Sequence, residues 1–408
     1  MNASPPLCDE ETYFEGVTMK DTKIMIAGDL MPMSCNYDLF AAGDIRALFG
    51  DKLCELFASA DIRICNLEGC FTDSDQPIEK IGPNIKAPTN TIRAVKDLGI
   101  DYATLGNTHS MDYGRQGYLD TCRVLDENDI GYFGWGNDAN CVKSYVEIHD
   151  SERKIILYNT TERFENAPRE DHPGVNLYDE YRVCREISAL KERCDFLIVL
   201  YHGGIEGTHY NSDVMRTRFH RMADNGADVV ISQHTHAIGE EEHYNGAYLL
   251  YGQGNFCFHF RTEVTPHLAE GLVLELVIGD NGFSATPHRI RRTEKGCIYD
   301  DEQELSAFYE RSKIHDRLLG GDSEAREEFE RQFGRDCTKW ATAFFFLFRG
   351  TNPLDAEKRK ELNPAEYLEY LKKSYTRDQL LGMQMFLHNE EFNEVGNRII
   401  SDLLDETK

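Results

Sequence analysis

Between about Lys23 and Ile278 the chain repeats one pattern: a short β-branched run that stops on a polar side chain able to hold a cation or a proton. KIMIAG (23–28) stops at Asp29, DIRICNLEG (61–69) at Asn-Leu-Glu and DYATLGN (101–107) at Gly-Asn. FLIVLYHGG (196–204) stops at His-Gly-Gly, ADVVISQHTH (227–236) at His-Thr-His, and YLLYGQGNF (248–256) reads as a last strand closing on Gly-Asn. Amphipathic stretches at 89–98, 115–128 and 179–193 read as helices between these strands. Alternating strands and helices predict a layered α/β fold, in which ligands gather beyond the carboxyl ends of the strands. Six polar strand ends can then converge on one place.

The pattern changes after about residue 296. Leu305, Phe308 and Tyr309 fall at helical spacing, and Gly320-Gly321-Asp322 punctuates two helical runs. Asn363-Pro364-Ala365-Glu366 reads as a helix start, and Thr376 with Gln379 as a capping box. The division expected is therefore an N-terminal tail at 1–22, an α/β domain at 23–295 and an α-helical C-terminal region at 296–408.

With 44 basic and 71 acidic residues the net charge is −27, which repels nucleic acid and anionic lipid. An anionic substrate would need a local positive centre, most compactly a bound divalent metal. The longest apolar stretch, Trp340 to Phe348, is about half of what a membrane-spanning helix needs. The first twenty residues carry Asp9, Glu10, Glu11 and Glu15 and no apolar core of a signal peptide. Twelve singly scattered cysteines suit a reducing compartment, so a cytoplasmic protein is expected.

Asp29, Glu68, Asn107, His202, His234 and His236 all lie at or just after strand ends, and their oxygens and imidazole nitrogens suit one or two Mn, Fe or Zn ions. On a regular strand His234 and His236 face the same side, so both reach one site. Glu68 or Asp29 is the candidate bridge between two cations, an arrangement that serves two-metal hydrolysis. His109, two residues past Asn107, is placed as a general acid near the leaving group. Asp112 either orients that imidazole or forms the turn before Tyr113-Gly114. Glu206 is either a second layer behind His202 or an exposed acid. His209, His220, His243, His259 and His267 read as surface or packing residues. The glycines of Gly134-Trp135-Gly136-Asn137 predict a tight turn or close backbone approach.

Taken together, AGDLM (27–31), CNLEG (65–69), LGNTHSMDYG (105–114), GWGNDA (134–139), YHGGIE (201–206), GADVVISQHTH (226–236) and YGQGNF (251–256) resemble, in order and spacing, the elements of the CapA-type capsule biosynthesis family. These are also called poly-γ-glutamate synthesis proteins, and their fold is similar to that of calcineurin-like metallophosphoesterases. The resemblance covers about residues 23 to 260. It implies a metallophosphatase-like β-sandwich flanked by helices, with the C-terminal helices appended. It also implies that Asp29, Glu68 and His236 surround one metal, that Glu68, Asn107, His202 and His234 surround the other, and that His109 takes the acid-base place.

The chain departs from the family pattern at several points. Met31 stands where a His would complete Asp-x-His, so the first metal has fewer protein ligands; Thr108 replaces an Asn, Gly203 a Trp, and Gln233-His234-Thr235 a Gly-x-His-Pro. No membrane anchor is expected before the domain. The function expected is metal-dependent hydrolysis of a phosphoester or γ-glutamyl amide in a small or oligomeric anionic substrate. The alternative, favoured by the missing Asp-x-His, is a non-catalytic assembly or binding protein in polymer synthesis; a carbohydrate-binding role through the tyrosines is a third.

Overall fold

The computed structural model describes residues 20–80, 82–137, 142–150, 153–163, 173–260, 265–300, 305–349, 369, 372–389 and 391–397. Most of the N-terminal tail and the helix start expected at Asn363 fall outside them. Two mixed sheets dominate. The eight-stranded one runs in space Cys297–Tyr299, Gly282–Arg292, Glu270–Gly279, Thr22–Met31, Ile62–Leu67, Tyr102–Thr104, Gly131–Phe133, and Asn255–Phe258 pairs alongside Thr22–Met31. The six-stranded one runs Glu241–Tyr244, Ala247–Leu250, Val229–Gln233, Phe196–His202, Arg153–Thr161, Tyr145–Asp150.

The sheets face each other across one apolar layer, where Ile24, Ile26 and Ile64 meet Leu157, Ile198, Leu200 and Ile231. The alternate residues on each strand are buried too. Met25, Ala27 and Cys65 lie under the helix Ile45–Ala58, and Ile156, Tyr158 and Val199 lie under Val183, Ile187 and Phe219 of the helices Glu180–Lys191 and Asp213–Asp224. Burial on both faces is why these strands read as continuous apolar runs instead of alternating ones. The result is a helix–sheet–sheet–helix sandwich.

Sequence and structure part company in three places. YLLYGQGNF is not one strand: Ala247–Leu250 belongs to one sheet and Asn255–Phe258 to the other. The chain crosses between layers at Gly252-Gln253-Gly254, where Gln253 Nε2 donates to the Ile26 carbonyl at 2.6 Å. A Cβ on Gly28 would stand 2.3 Å from the Gly254 carbonyl oxygen, so the Gly-Asp element needs its glycine for this approach. The long hairpin Glu270–Gly279/Gly282–Arg292 was not expected, because its second strand alternates polar and half-buried residues with little apolar signal. Strands also continue past residue 295, since Cys297–Tyr299 pairs with Gly282–Arg292.

The C-terminal helices Ser306–Leu319, Ser323–Arg349 and Arg377–His388 pack onto the end of the sandwich that carries the polar strand ends. The Thr376–Gln379 capping box is present. Phe329 and Phe333 bury Ile205 and Tyr210 of the loop after His202. Arg311 donates to the carbonyls of Ile238 and Gly239 at 2.8 and 3.0 Å. No helix among the described residues is long and apolar enough to cross a membrane.

His315 fastens the first of these helices. Its Nε2 lies 2.8 Å from Glu242 and its Nδ1 3.4 Å from Glu240, and Glu242 also meets His220 Nε2 at 2.8 Å and the Tyr251 hydroxyl at 2.7 Å. Burial works against a charged imidazole, but the two carboxylates outweigh it and raise the His315 pKa to about 9. A raised folded pKa contributes stability in full below the unfolded value of roughly 6.5, and the contribution is lost as pH rises through the folded one. Wild type should therefore exceed His315→Gln in stability by on the order of 3 kcal/mol at pH 6. The gap should close between pH 7 and 9.5; chemical denaturation at both pH values checks it, and a gap that does not change with pH contradicts the ion pair.

Candidate metal centre

Asp29 sits where the first strand is irregular against both neighbours: its register slips between Ile26 and Asp29 against Ile62–Leu67, and between Asp29 and Leu30 against Asn255–Phe258. Bulges of this kind re-aim a side chain. The buried carboxylate accepts from Asn66 Nδ2 at 2.7 Å and from the His234 backbone N–H at 3.3 Å, and lies 3.2 Å from His236 Nδ1. Burial opposes its charge, yet the His236 hydrogen bond and the neighbouring imidazoles hold its pKa below the usual carboxylate range.

Glu68 follows the next strand end. It is fully buried, and among the described residues neither carboxylate oxygen has a hydrogen-bond partner. The His202 imidazole stands beside it, with Nε2 3.4 Å from Oε1. Burial first, and the Asp29 charge second, push the Glu68 pKa well up. Where a His would follow Asp29, Met31 is buried with its thioether against Gly69 and supplies no ligand nitrogen.

His202 closes the strand Phe196–His202, and burial lowers its pKa to about 3. His234 is also driven down by burial and then by His202, whereas His236, opposed by burial, is raised by its bond to Asp29. His236 Nδ1 is 2.8 Å from Asn255 Oδ1. The two histidines do not reach the site by strand alternation. The strand ends at Gln233, and His234 and His236 adopt φ of 98° and 54°. These left-handed conformations each cost a non-glycine residue on the order of 1–3 kcal/mol and turn both rings inward.

Three overlapping triads result, each with one ligand atom per residue within 4.8 Å of the others: Asp29, Glu68 and His236; Glu68, His202 and His234; and Glu206, His234 and His236. Glu206, left open by the sequence, thus joins the cluster, and its backbone carbonyl accepts from the Trp340 indole at 3.2 Å. Asn107 is brought alongside, but its amide is committed. Its oxygen accepts from the His109 N–H at 3.0 Å and from Ser110 Oγ at 2.9 Å, and its nitrogen donates to Asn66 Oδ1 and the Leu67 carbonyl. Asn66, overlooked in the sequence although it lies in Asn-Leu-Glu, is the central spacer; it also accepts from Thr104 at 3.0 Å and reaches His202 Nδ1 at 3.2 Å.

The donor set fits a divalent cation. Neutral imidazoles and carboxylates are the ligands that Mn, Fe and Zn accept, and a buried carboxylate with no partner is costly until a cation satisfies it.

His109 stands beside the cluster on its own hydrogen-bonded unit. Its Nδ1 is 2.7 Å from Asp112 Oδ2 and 3.1 Å from Lys80 Nζ, Lys80 also binds Asp112 Oδ1, and Asp112 accepts from the Ile85 N–H at 2.6 Å. Asp112 therefore orients the imidazole. Burial and then the Lys80 ammonium lower the His109 pKa, against the pull of Asp112. Lys80 arrives from a distant loop and left no sequence signal. Nor did Glu162, which accepts from the Gly204 N–H at 2.9 Å and lies 3.6 Å from His234 Nε2. Burial and then Glu391 raise its pKa to about 8. Of the five histidines read as surface or packing residues, His220 pairs with Glu242, and His209 Nδ1 lies 2.9 Å from the Ile238 carbonyl.

The family model described as bacterial capsule synthesis protein PGA_cap matches residues 23–260. The chain is 27% identical over 208 residues to the PGA biosynthesis protein CapA of Bacillus subtilis (strain 168), covering 50% of this chain and 54% of that one. It is 27% identical over 181 residues to the capsule biosynthesis protein CapA of Bacillus anthracis, covering 43% and 44%. The chain thus spans about half the length of these curated relatives. Among solved structures it is similar to a novel phosphatase of Mycoplasma pneumoniae, with a TM-score of 0.43 and 14% identity over 71% of this chain and 99% of that one.

Replacing Glu68 by Gln should lower bound Mn or Zn, measured by elemental analysis after metal loading, by about one equivalent or more. In metal-free protein at neutral pH the same change should leave the melting temperature unchanged or raise it, because an unsatisfied buried acid is removed. A melting temperature that falls steeply without metal would mean that Glu68 serves the fold and not a cation.

Proposed function

The chain belongs to the bacterial capsule synthesis protein PGA_cap family, and on that premise we propose that it is a metal-dependent hydrolase acting on an anionic small-molecule or oligomeric substrate. The carrying observation is the Glu68 carboxylate, buried and unbonded at the junction of two triads. Asp29, Glu68 and His236 would hold one cation and Glu68, His202 and His234 the other, with Glu206 a further ligand to either. A cation bound there supplies Lewis acidity, polarising a substrate oxygen and making water a nucleophile at neutral pH.

The remaining work falls to the protein's own groups. Asn66 and Asn255 fix the orientations of Asp29 and His236. With its Nδ1–H donating to Asp112, His109 keeps Nε2 as its working nitrogen. Because its lowered pKa leaves it neutral at rest, His109 takes up a proton during attack and returns it to the leaving atom, so it is base first and acid second. The bond cleaved is a γ-glutamyl amide, supported by the relatives' naming for PGA biosynthesis, or a phosphoester. A cytoplasmic setting is supported by the ten described cysteines, all free thiols.

A screen over phosphomonoesters, phosphodiesters and γ-glutamyl peptides with Mn- or Zn-loaded protein should find one responsive class. On that substrate His109→Ala should lower kcat by about 10²- to 10⁴-fold while retaining metal. Undiminished turnover in the variant would remove His109 from the chemistry, and no turnover of any class by protein holding about two equivalents of metal would favour an assembly role.

A further inference from the structure

Among the described residues, three of the buried polar atoms beyond the triads that have no hydrogen-bond partner stand together: Glu162 Oε2, the Tyr178 hydroxyl and Asn389 Nδ2. They come from the end of the strand Arg153–Thr161, the segment before the helix Glu180–Lys191 and the turn after the helix Arg377–His388. Glu162 and Asn389 are 3% and 1% exposed. All three line one cavity of about 360 Å³, together with Arg163, Arg218 and Tyr181. Each buried donor or acceptor without a partner costs about 1–3 kcal/mol, a cost recovered when a polar ligand fills the space.

Much of the charge around this cavity is already committed. Arg218 donates to the Tyr201 hydroxyl at 2.6 Å and to Glu391 at 3.1 Å. Glu162 Oε1 is held by the Gly204 N–H, and the two acids at the cavity edge are engaged as well: Asp179 caps its helix by accepting from the Arg182 N–H at 2.8 Å, and Glu180 pairs with Arg221. Asn389 Oδ1 accepts from the N–H groups of Glu391 and Phe392, which fixes the amide so that its NH₂ is the part turned to other partners. That NH₂ is near enough to Glu162 to favour its charged form, but not in hydrogen-bond geometry. The uncommitted groups are thus one acceptor, Glu162 Oε2, an NH₂ that only donates and a phenol that can donate, and Arg163 adds a guanidinium to the wall. Donors beside a guanidinium are the complement of an oxyanion.

We propose that this cavity is an oxyanion subsite, taking a carboxylate or phosphate on the non-reacting part of a substrate whose scissile bond lies at the Glu68 cluster. Glu162 joins the two places, since its other oxygen faces His234 at 3.6 Å. The placement of the scissile bond rests on the hydrolase reading; the oxyanion binding does not.

Full-length protein, stripped of metal by a chelator and then gel-filtered, is titrated calorimetrically with glutarate and, separately, with inorganic phosphate. Saturable binding of one or both is expected, and the arm that responds identifies the oxyanion. Tyr178→Phe, which removes a hydroxyl bonded to nothing in the protein, should weaken binding about 3- to 10-fold. Arg163→Ala should weaken it about 10-fold or more. No saturable binding in either arm, or binding that both variants leave unchanged, overturns the subsite. Binding that behaves as expected in a protein without hydrolytic activity upholds the subsite and sinks the hydrolase reading. Hydrolysis of a carboxylate- or phosphate-bearing substrate with an unchanged KM in Tyr178→Phe does the reverse.

Discussion

A carboxylate that is fully buried, bonded to nothing, and placed 3.4 Å from an imidazole that burial keeps neutral is held there at a cost. Glu68 is that carboxylate. Burial makes the charged form of Glu68 costly, which is why its pKa is pushed well up, and among the described residues none donates a hydrogen bond to its carboxylate to reduce that cost. Its neighbours show the contrast: Asp29 is bonded by Asn66, His236 and a backbone N–H, and its pKa falls, while that of Glu68 rises. Two buried acids side by side, one satisfied and one not, define a place that a cation would complete.

The sandwich supplies the positions and the C-terminal helices supply the closure. Strand ends bring Asp29, Glu68 and His202 to one edge, but Glu206 and the His234–His236 turn lie on loops that the two sheets alone do not fix. Phe329 and Phe333 pack on Ile205, the Trp340 indole holds the Glu206 carbonyl, and Arg311 holds the carbonyls of Ile238 and Gly239. Helices that lie outside the residues matched by the family model therefore set the shape of the site that those residues carry.

How much of this was readable in the sequence depends on whether a residue's role is set locally. Asp29, Glu68 and His202 end apolar runs, and a strand end fixes which way they face, so their convergence was legible. So was the need for glycine at Gly134, where an added Cβ would stand 1.7 Å from Asn159 Oδ1. His234 and His236 were placed at the site for the wrong geometric reason, because a left-handed turn leaves no mark in a His-x-His pattern. Asn107 sits where expected, yet four hydrogen bonds within the protein occupy its amide. Lys80 and Glu162 act only through partners far away in sequence, and nothing in their own surroundings announces them. The crossing at Gly252-Gln253-Gly254 was hidden for the same reason: what forces it is the approach of another strand.

Anomalous diffraction from crystals soaked in Mn²⁺ tests directly whether Glu68 binds a cation. A manganese peak is expected roughly 2.0–2.3 Å from a Glu68 oxygen, with nitrogens of His202 and His234 or of His236 completing its protein ligands. Peaks confined to surface acids, with Glu68 still bonded to nothing, would contradict it.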